Sequence, residues 1–90
     1  MQHSREIMIV NKLGMHARAA AKFVQMASAC NSEIEVERKG QRVNGKSIMG
    51  VMMLAASNGS SITIHADGED AEESIDKLEQ LIKDRFGEDE

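Results

Sequence analysis

The residues most able to do chemistry lie together between Gly14 and Ala21, in the run GMHARAAA. Gly14 allows a tight turn and the alanines are strong helix formers, so His16 is expected where a helix begins. The first backbone N–H groups of a helix are unpaired and carry a partial positive charge, which suits an anion. Arg18 follows and offers a planar donor for phosphate oxygens. The stretch therefore predicts an anion site that contains a nucleophile.

A histidine before a helix is more often only a polar capping residue, and that interpretation of His16 stays open here. A helix N-terminus disfavours the imidazolium, so we expect a neutral ring that can accept a phosphoryl group. The N–H groups of Ala17 and Arg18, together with the Arg18 side chain, are predicted to offset the charge of that phosphate. No carboxylate lies nearby in sequence, so a hydrolytic triad is not indicated.

The elements that must position this stretch follow from the spacing of apolar residues. Runs of β-branched residues and strict alternation predict strands at 5–10, 33–38, 41–44 and 61–66. Helical spacing predicts helices over 17–29, over about nine residues from Ser47, and over 70–86. Residues 87–90 are expected to fray. The pattern predicts one α+β domain over residues 1–90, with all three helices on one side of a four-stranded sheet.

Composition and charge narrow the classes of partner. The chain has 90 residues, 41% of them hydrophobic and 29% charged, which is typical of a globular protein. Its net charge of -4 argues weakly against nucleic acid as a partner. Segments 7–32 and 38–66 contain no Asp or Glu, so the sequence predicts a locally basic working face and an acidic C-terminal face.

Cysteine usage and hydropathy predict the compartment. Cys30 is the single cysteine, so no intrachain disulfide can form and a reducing compartment is favoured. With His3 and His65, which are expected at the surface, it matches no zinc spacing. No apolar run reaches the roughly 20 residues of a membrane span. We expect a cytoplasmic monomer without membrane insertion, metal or cofactor.

Two motifs together resemble the HPr family, the histidine-containing phosphocarriers of the bacterial phosphoenolpyruvate-dependent phosphotransferase system. They are GMHAR at 14–18 and GKSIMGVM at 45–52. The resemblance spans nearly the whole chain and implies an HPr-like open-faced β-sandwich, with a four-stranded antiparallel sheet and three helices on one face. It also implies that His16 takes a phosphoryl group at Nδ1 from phosphorylated enzyme I. The group then passes to a histidine of an enzyme IIA domain, with no turnover by the carrier itself.

The resemblance also implies roles for individual residues. Arg18 corresponds to the phosphate-binding arginine, and Ala17 to a backbone donor. Contacts with partner proteins are implied for Met15, Ala21, Ile48, Met49 and Met52. Many family members have proline directly after the arginine, and Ala19 in that place is predicted to loosen the site slightly. Ala19 and the methionine-rich second helix also resemble the nitrogen-related branch of the family, and the sequence does not decide between the branches.

Ser47 has two interpretations. Its position before the second helix predicts an N-cap, which needs no regulatory role. The family resemblance implies instead a target of the bifunctional HPr kinase/phosphorylase. A phosphate at a helix N-terminus favours the helix, so its effect would fall on partners that dock beside Ile48, Met49 and Met52. The two methionines suit a surface that accepts several partners, because methionine adapts its shape.

Two other functions remain open on sequence alone. A regulatory module that is not a carrier would bind its partner through phosphorylated Ser47. An acyl carrier is suggested by the small size, the acidity and a serine at a helix start. Lys46 rather than an acidic residue precedes Ser47, however, and the predicted strands disagree with an all-helical carrier.

Overall fold

The structure is a computed structural model that describes residues 2–90. Its strands are β1 (Gln2–Met8), β2 (Glu33–Arg38), β3 (Gln41–Asn44) and β4 (Ser61–Asp67). Its helices are α1 (Ala17–Ser28), α2 (Ile48–Met53) and α3 (Ala71–Lys83), and a single 3-10 turn follows at Arg85–Gly87. Among residues 2–90, none of the helices combines the length and the apolar character that a bilayer span requires.

The four strands form one antiparallel sheet in the order β1-β4-β2-β3. Exposed and buried residues alternate along β2 and β4, which places Ile62, Ile64 and Ala66 on the covered face. Opposite β4, Ile7 pairs with Ile62 and Val36 pairs with Ile64, so the same face is apolar across the sheet. The alternation predicted from sequence therefore sets which face the helices cover.

The core lies between that face and the helices. Phe23 of α1 and Ile75, Leu78 and Ile82 of α3 are completely buried, while α2 buries only Val51. A helix this short depends on its contacts with α1 and β3. The predicted α+β architecture, a four-stranded antiparallel sheet with three helices on one face, is confirmed. The acyl-carrier alternative requires an all-helical fold, and the sheet is incompatible with it.

The predicted bounds of two elements, β1 and α2, are wrong. β1 begins at Gln2 and ends at Met8, where 5–10 was predicted, because the polar residues at its start pair with β4 and the ladder stops at Met8 and Ser61. His3 therefore lies within a strand. α2 ends at Met53, shorter than predicted, and Ala55 then adopts a positive φ of 50°.

The third helix also ends earlier than the sequence predicts. α3 stops at Lys83, and Arg85 and Phe86 have φ values of 58° and 55°, so the chain turns out of the helical path. Phe86 still reaches the core and is 1% exposed. Its burial was predicted correctly from the apolar stripe, but it is achieved by a turn and not by continued helix.

Asp70 fastens the start of α3 to the loop between α1 and β2. Its carboxylate accepts hydrogen bonds from the backbone N–H groups of Asn31 and Ser32, both at 2.9 Å, and from the Ser32 hydroxyl. The Ser32 hydroxyl, followed by the Asn31 N–H, lowers the pKa of Asp70 to about 2. These hydrogen bonds favour the ionised carboxylate, because each one donates to it.

This pairing predicts how stability depends on pH. The folded pKa of Asp70 is below its ordinary 3.8. Its contribution is therefore complete above about pH 4 and lost as the pH falls through about 2. We expect Asp70→Asn to lower the free energy of unfolding at pH 7 and to flatten its decline between those pH values. Urea unfolding measures both, with exposed Glu72→Gln as control; an equal loss at pH 2 and pH 7 would contradict the assignment.

Candidate functional site

The loop before α1 is fixed by close backbone contact with the segment after α2. Gly14 has a φ of +66°, and a Cβ at this position would lie 2.6 Å from the Ala56 carbonyl oxygen and 2.8 Å from Ser57 Cα. The next N–H group, that of Met15, donates to the same Ala56 oxygen at 2.8 Å. Both the backbone conformation and the space therefore require glycine, which sets the path of the chain into α1.

His16 lies at the N-cap of α1, where the sequence predicts it. Its backbone is extended, with φ of -72° and ψ of 177°, and its carbonyl oxygen accepts from the N–H of Ala20 at 2.8 Å. The imidazole makes no hydrogen bond to the first turn of the helix. The N–H groups of Ala17 and Arg18 therefore remain available to an anion beside the ring.

Arg18 completes the cationic part of the site. The residue is exposed, and within residues 2–90 its guanidinium makes no hydrogen bond or ion pair. It borders an open cavity of about 830 Å³, lined by the 12–13 turn, by 16–18 at the start of α1, and by the C-terminal residues 88–90. The cavity thus combines a histidine, a helix N-terminus and an uncommitted guanidinium, an arrangement that suits a phosphate group.

The C-terminal residues pack against this site, so the prediction that 87–90 would fray is wrong. The turn that buries Phe86 directs the chain back over α1, where the Lys22 ammonium donates to the Phe86 carbonyl oxygen at 2.7 Å. Farther along, the backbone N–H of Lys12 donates to the Glu90 carbonyl oxygen at 2.9 Å. The segment is therefore fastened at both of its ends.

Glu88 brings a carboxylate to the histidine that the local sequence does not reveal. One carboxylate oxygen, Oε2, is hydrogen-bonded to Nε2 of His16. The other, Oε1, accepts from the side-chain amide of Asn11 at 3.0 Å. Glu88 and His16 are 72 residues apart in sequence. No carboxylate lies near His16 in sequence, and only the turn at Phe86 brings Glu88 and His16 together.

Opposing influences set the ionisation of Glu88. Burial acts to raise the pKa of this carboxyl, but hydrogen bonds from Asn11 and His16 and the charges of His16 and Lys22 outweigh it, so the pKa lies below its ordinary value. Glu90 adds a second carboxylate, whose Oε2 lies 3.4 Å from the Lys12 ammonium. The predicted basic face is therefore wrong in part, because the tail places acidic groups beside its cations.

Ser47 is the N-cap of α2, as its position predicts. Its hydroxyl oxygen accepts from the N–H of Gly50 at 3.1 Å. The neighbouring Ile48, Met49 and Met52 are 44%, 72% and 39% exposed, so the apolar side chains expected at the surface do face outward. Met53, at 66%, extends this patch and was not singled out from the sequence.

Met15 is the predicted contact residue that the structure does not place at the surface. It is 6% exposed and packs in the core beside α1, and this burial argues against the predicted contact with partners. The turn at Gly14 directs the chain so that the methionine points inward and His16 outward. Ala21 is half-buried on α1, and Ala19 is completely buried in the first turn, which is helical without proline.

Two further side chains have definite partners. His65 is partly buried on the open face of the sheet, where Nδ1 is 2.7 Å from the Ser4 hydroxyl and Nε2 is 2.7 Å from Oε1 of Glu37. It links three strands and is more than the plain surface residue predicted. Cys30 is buried, with its thiol donating to the Met26 carbonyl oxygen at 3.3 Å.

The fold and this site define an HPr-like open-faced sandwich that presents a histidine at the start of its first helix. A sequence profile described as the PTS HPr component phosphorylation site matches residues 3–84. Phosphocarrier protein HPr of Cupriavidus necator is 52% identical over 84 residues, covering 93% of this chain and 94% of that protein. The chain belongs to the HPr family, the phosphocarrier proteins of the phosphotransferase system. The predicted family is thereby confirmed, and the nitrogen-related branch stays a prediction.

Solved structures agree with this assignment. HPr-C-His from Thermoanaerobacter tengcongensis superposes with a TM-score of 0.94 at 48% identity, covering 98% of this chain and 99% of that chain. The chain is also similar to the HPr-like protein Crh of Bacillus subtilis, at 45% identity over 73 residues, which covers 81% of this chain and 86% of that protein.

Proposed function

We propose that this chain is a monomeric phosphoryl carrier in which His16 accepts a phosphoryl group from phosphorylated enzyme I and passes it to a histidine of an enzyme IIA domain. The observation that carries the proposal is that the His16 imidazole, the start of α1 and the Arg18 guanidinium line one cavity, and that within residues 2–90 Arg18 has no hydrogen-bonding partner. Membership of the HPr family supports it, because relatives of the same fold are named phosphocarriers.

The acceptance step is an exchange of one N–P bond for another. The Nδ1 lone pair of neutral His16 attacks the phosphorus of the donor phosphohistidine, and the donor ring leaves with the electron pair of its breaking N–P bond. Nδ1 is the available nitrogen, because Nε2 is hydrogen-bonded to the carboxylate of Glu88. Transfer to enzyme IIA repeats the exchange, with His16 as the leaving group.

The phosphate is held weakly enough to be passed on. The N–H groups of Ala17 and Arg18 and the Arg18 guanidinium offset its charge. Interactions with a helix end contribute about 0.3 to 1 kcal/mol when exposed and up to ~2 kcal/mol when partly buried. Tighter binding would slow the second transfer, so modest stabilisation suits a group in transit.

Partner proteins are proposed to dock on the exposed apolar side chains of α2 together with Ala21 of α1. Ala21, Ile48, Met49 and Met52 supply this surface, whose flexible methionines can adapt to both enzyme I and enzyme IIA. The proposal is tested by mixing the chain with phosphoenolpyruvate and enzyme I. We expect one acid-labile, base-stable phosphate per chain, which enzyme IIA then removes; an unlabelled chain would contradict the proposal.

Ser47 supports a second, regulatory role. Its N-cap position lets a phosphate remain compatible with α2, while the added charge would stand beside Ile48 and Met49. An HPr kinase/phosphorylase is the partner proposed for this modification. A purely regulatory module would instead take acid-stable label on Ser47 from ATP and none on His16.

Two substitutions at Ser47 separate its structural and regulatory roles. Ser47→Asp keeps an N-cap acceptor, so the free energy of unfolding should change by less than about 0.5 kcal/mol, whereas Ser47→Ala should lose about 1 kcal/mol. Phosphorylation by enzyme I should slow severalfold in Ser47→Asp alone, because the carboxylate disturbs docking. Thermal unfolding and initial labelling rates measure the two effects. Equal rates in both variants would argue against control at Ser47.

A further inference from the structure

Glu88 is an unexpected neighbour for a residue that receives a phosphate. Its carboxylate stands beside the ring, although a phosphoryl group adds about two negative charges to the same ring. The tail that carries it is fastened by Lys22 at Phe86 and by Lys12 at Glu90. The carboxylate is therefore held in place by contacts on both sides, which suggests a role that outweighs its repulsion of phosphate.

The hydrogen bonds that link Asn11, Glu88 and His16 allow only one assignment of donors and acceptors. Asn11 is completely buried, and its amide nitrogen donates both to the Gly14 carbonyl oxygen at 2.8 Å and to Oε1 of Glu88 at 3.0 Å. Both partners are acceptors, so the orientation of the Asn11 amide is fixed. An ionised carboxylate can only accept, so the hydrogen between Oε2 and the ring must belong to Nε2 of His16.

We infer that Glu88 is a positioning residue, which holds neutral His16 as the Nε2–H tautomer and so leaves the lone pair on Nδ1 for the incoming phosphorus. The inference rests on the proposed function, in which His16 is the phosphoryl acceptor. The carboxylate does not touch the phosphoryl group. It acts through the ring, by fixing its tautomer and its orientation.

The same contact accounts for the charge that appears during transfer. Attack through Nδ1 uses the lone pair of that nitrogen, so the phosphorylated ring retains its Nε2–H and gains positive character. The Glu88 carboxylate accepts from that Nε2–H throughout and balances the charge of the ring. No proton has to leave when the phosphoryl group arrives, and none has to return when it departs.

Glu88→Gln provides a sharp test, because the Asn11 donor dictates how the new amide must face. Its carbonyl oxygen should take the Asn11 hydrogen bond, which turns its NH₂ group toward Nε2 of His16. The ring would then carry its hydrogen on Nδ1, the nitrogen that must attack. Glu90→Gln is the matched control, since it removes the same charge from the same tail but from a carboxylate paired with Lys12.

Two measurements distinguish positioning from a merely structural effect. Nitrogen-15 NMR of the unphosphorylated chain at pH 8 should find Nε2–H in the wild type and in Glu90→Gln, and predominantly Nδ1–H in Glu88→Gln. The initial rate of phosphorylation by enzyme I should fall about tenfold or more in Glu88→Gln and by less than twofold in the control.

An unchanged tautomer in Glu88→Gln would overturn the inference even if His16 is phosphorylated normally. An inverted tautomer with an unchanged phosphorylation rate would overturn it as well. A chain in which His16 is never labelled would instead refute the proposed function, and the NMR result on the unphosphorylated chain keeps the two failures distinguishable. Equal unfolding free energies for the two variants would show that the rate effect does not come from a loosened tail.

Discussion

His16→Ala is expected to abolish acid-labile labelling by phosphoenolpyruvate and enzyme I, to below about one hundredth of the wild-type level. The substitution removes the attacking nitrogen itself, so neither the helix N-terminus nor Arg18 can compensate. The fold should survive, because the imidazole makes no capping hydrogen bond and its backbone can still start the helix. We expect a change in the free energy of unfolding within about 1 kcal/mol. Labelling and urea unfolding measure the two effects.

His65→Gln is the matched control for this prediction. Nε2 of His65 is also hydrogen-bonded to a glutamate, Glu37. Its Nδ1, however, is hydrogen-bonded to the Ser4 hydroxyl, and the ring lies on the open face of the sheet. It should therefore take no label, and its replacement should leave the wild-type level unchanged. Normal labelling of His16→Ala would refute His16 as the phosphoryl acceptor. Loss of label in His65→Gln would indicate that His65 carries the phosphate.

Gly14→Ala is expected to have the second largest effect, on stability and transfer together. A left-handed conformation costs a residue with a side chain about 1 to 2 kcal/mol. The added Cβ would also lie 2.6 Å from the Ala56 carbonyl oxygen, a contact that forces backbone movement. Such overpacking adds about 1 to 3 kcal/mol. A displaced loop would misalign His16 with the phosphohistidine of the docked enzyme I. The labelling rate of the folded protein should therefore fall about 10- to 100-fold.

Gly59→Ala isolates the steric part of this effect. Gly59 has a comparable φ of +87°, but a Cβ there would meet nothing within 4 Å. We expect it to lose only the conformational term of about 1 to 2 kcal/mol and to be phosphorylated at the wild-type rate. Urea unfolding and initial rates of both variants are the measurements. Similar losses in the two glycine variants would mean that the contact with Ala56 does not matter.

The fold was predictable because its signals are local. Strict alternation in 33–38 predicts a strand with one buried face. Apolar residues at helical spacing, such as Phe23 in α1 and Ile75 in α3, predict the helix faces that cover it. The nucleophilic end of the site was predictable for the same reason. Gly14, His16 and Arg18 are close in sequence, and the properties of a helix N-terminus follow from backbone geometry alone.

The acidic side of the site was not predictable, because it depends on long-range packing. Phe86 fits the stripe of α3, and nothing in the local pattern shows that the chain turns there and returns over α1. The sequence alone therefore predicts that Glu88 belongs to a charged, frayed C-terminal segment, because it does not reveal the turn at Arg85–Gly87. Met15 was misplaced for a related reason, since the inward direction of its side chain is set by the contact of Gly14 with Ala56.

His16 is proposed to accept the phosphoryl group through Nδ1. The most direct test is nitrogen-15 and phosphorus-31 NMR of the chain after phosphorylation by enzyme I, which identifies the nitrogen coupled to phosphorus. We predict a single phosphohistidine at His16 with coupling to Nδ1 and with Nε2 still protonated. Phosphate on Nε2, on His65 or on Ser47 under the same conditions would contradict the account.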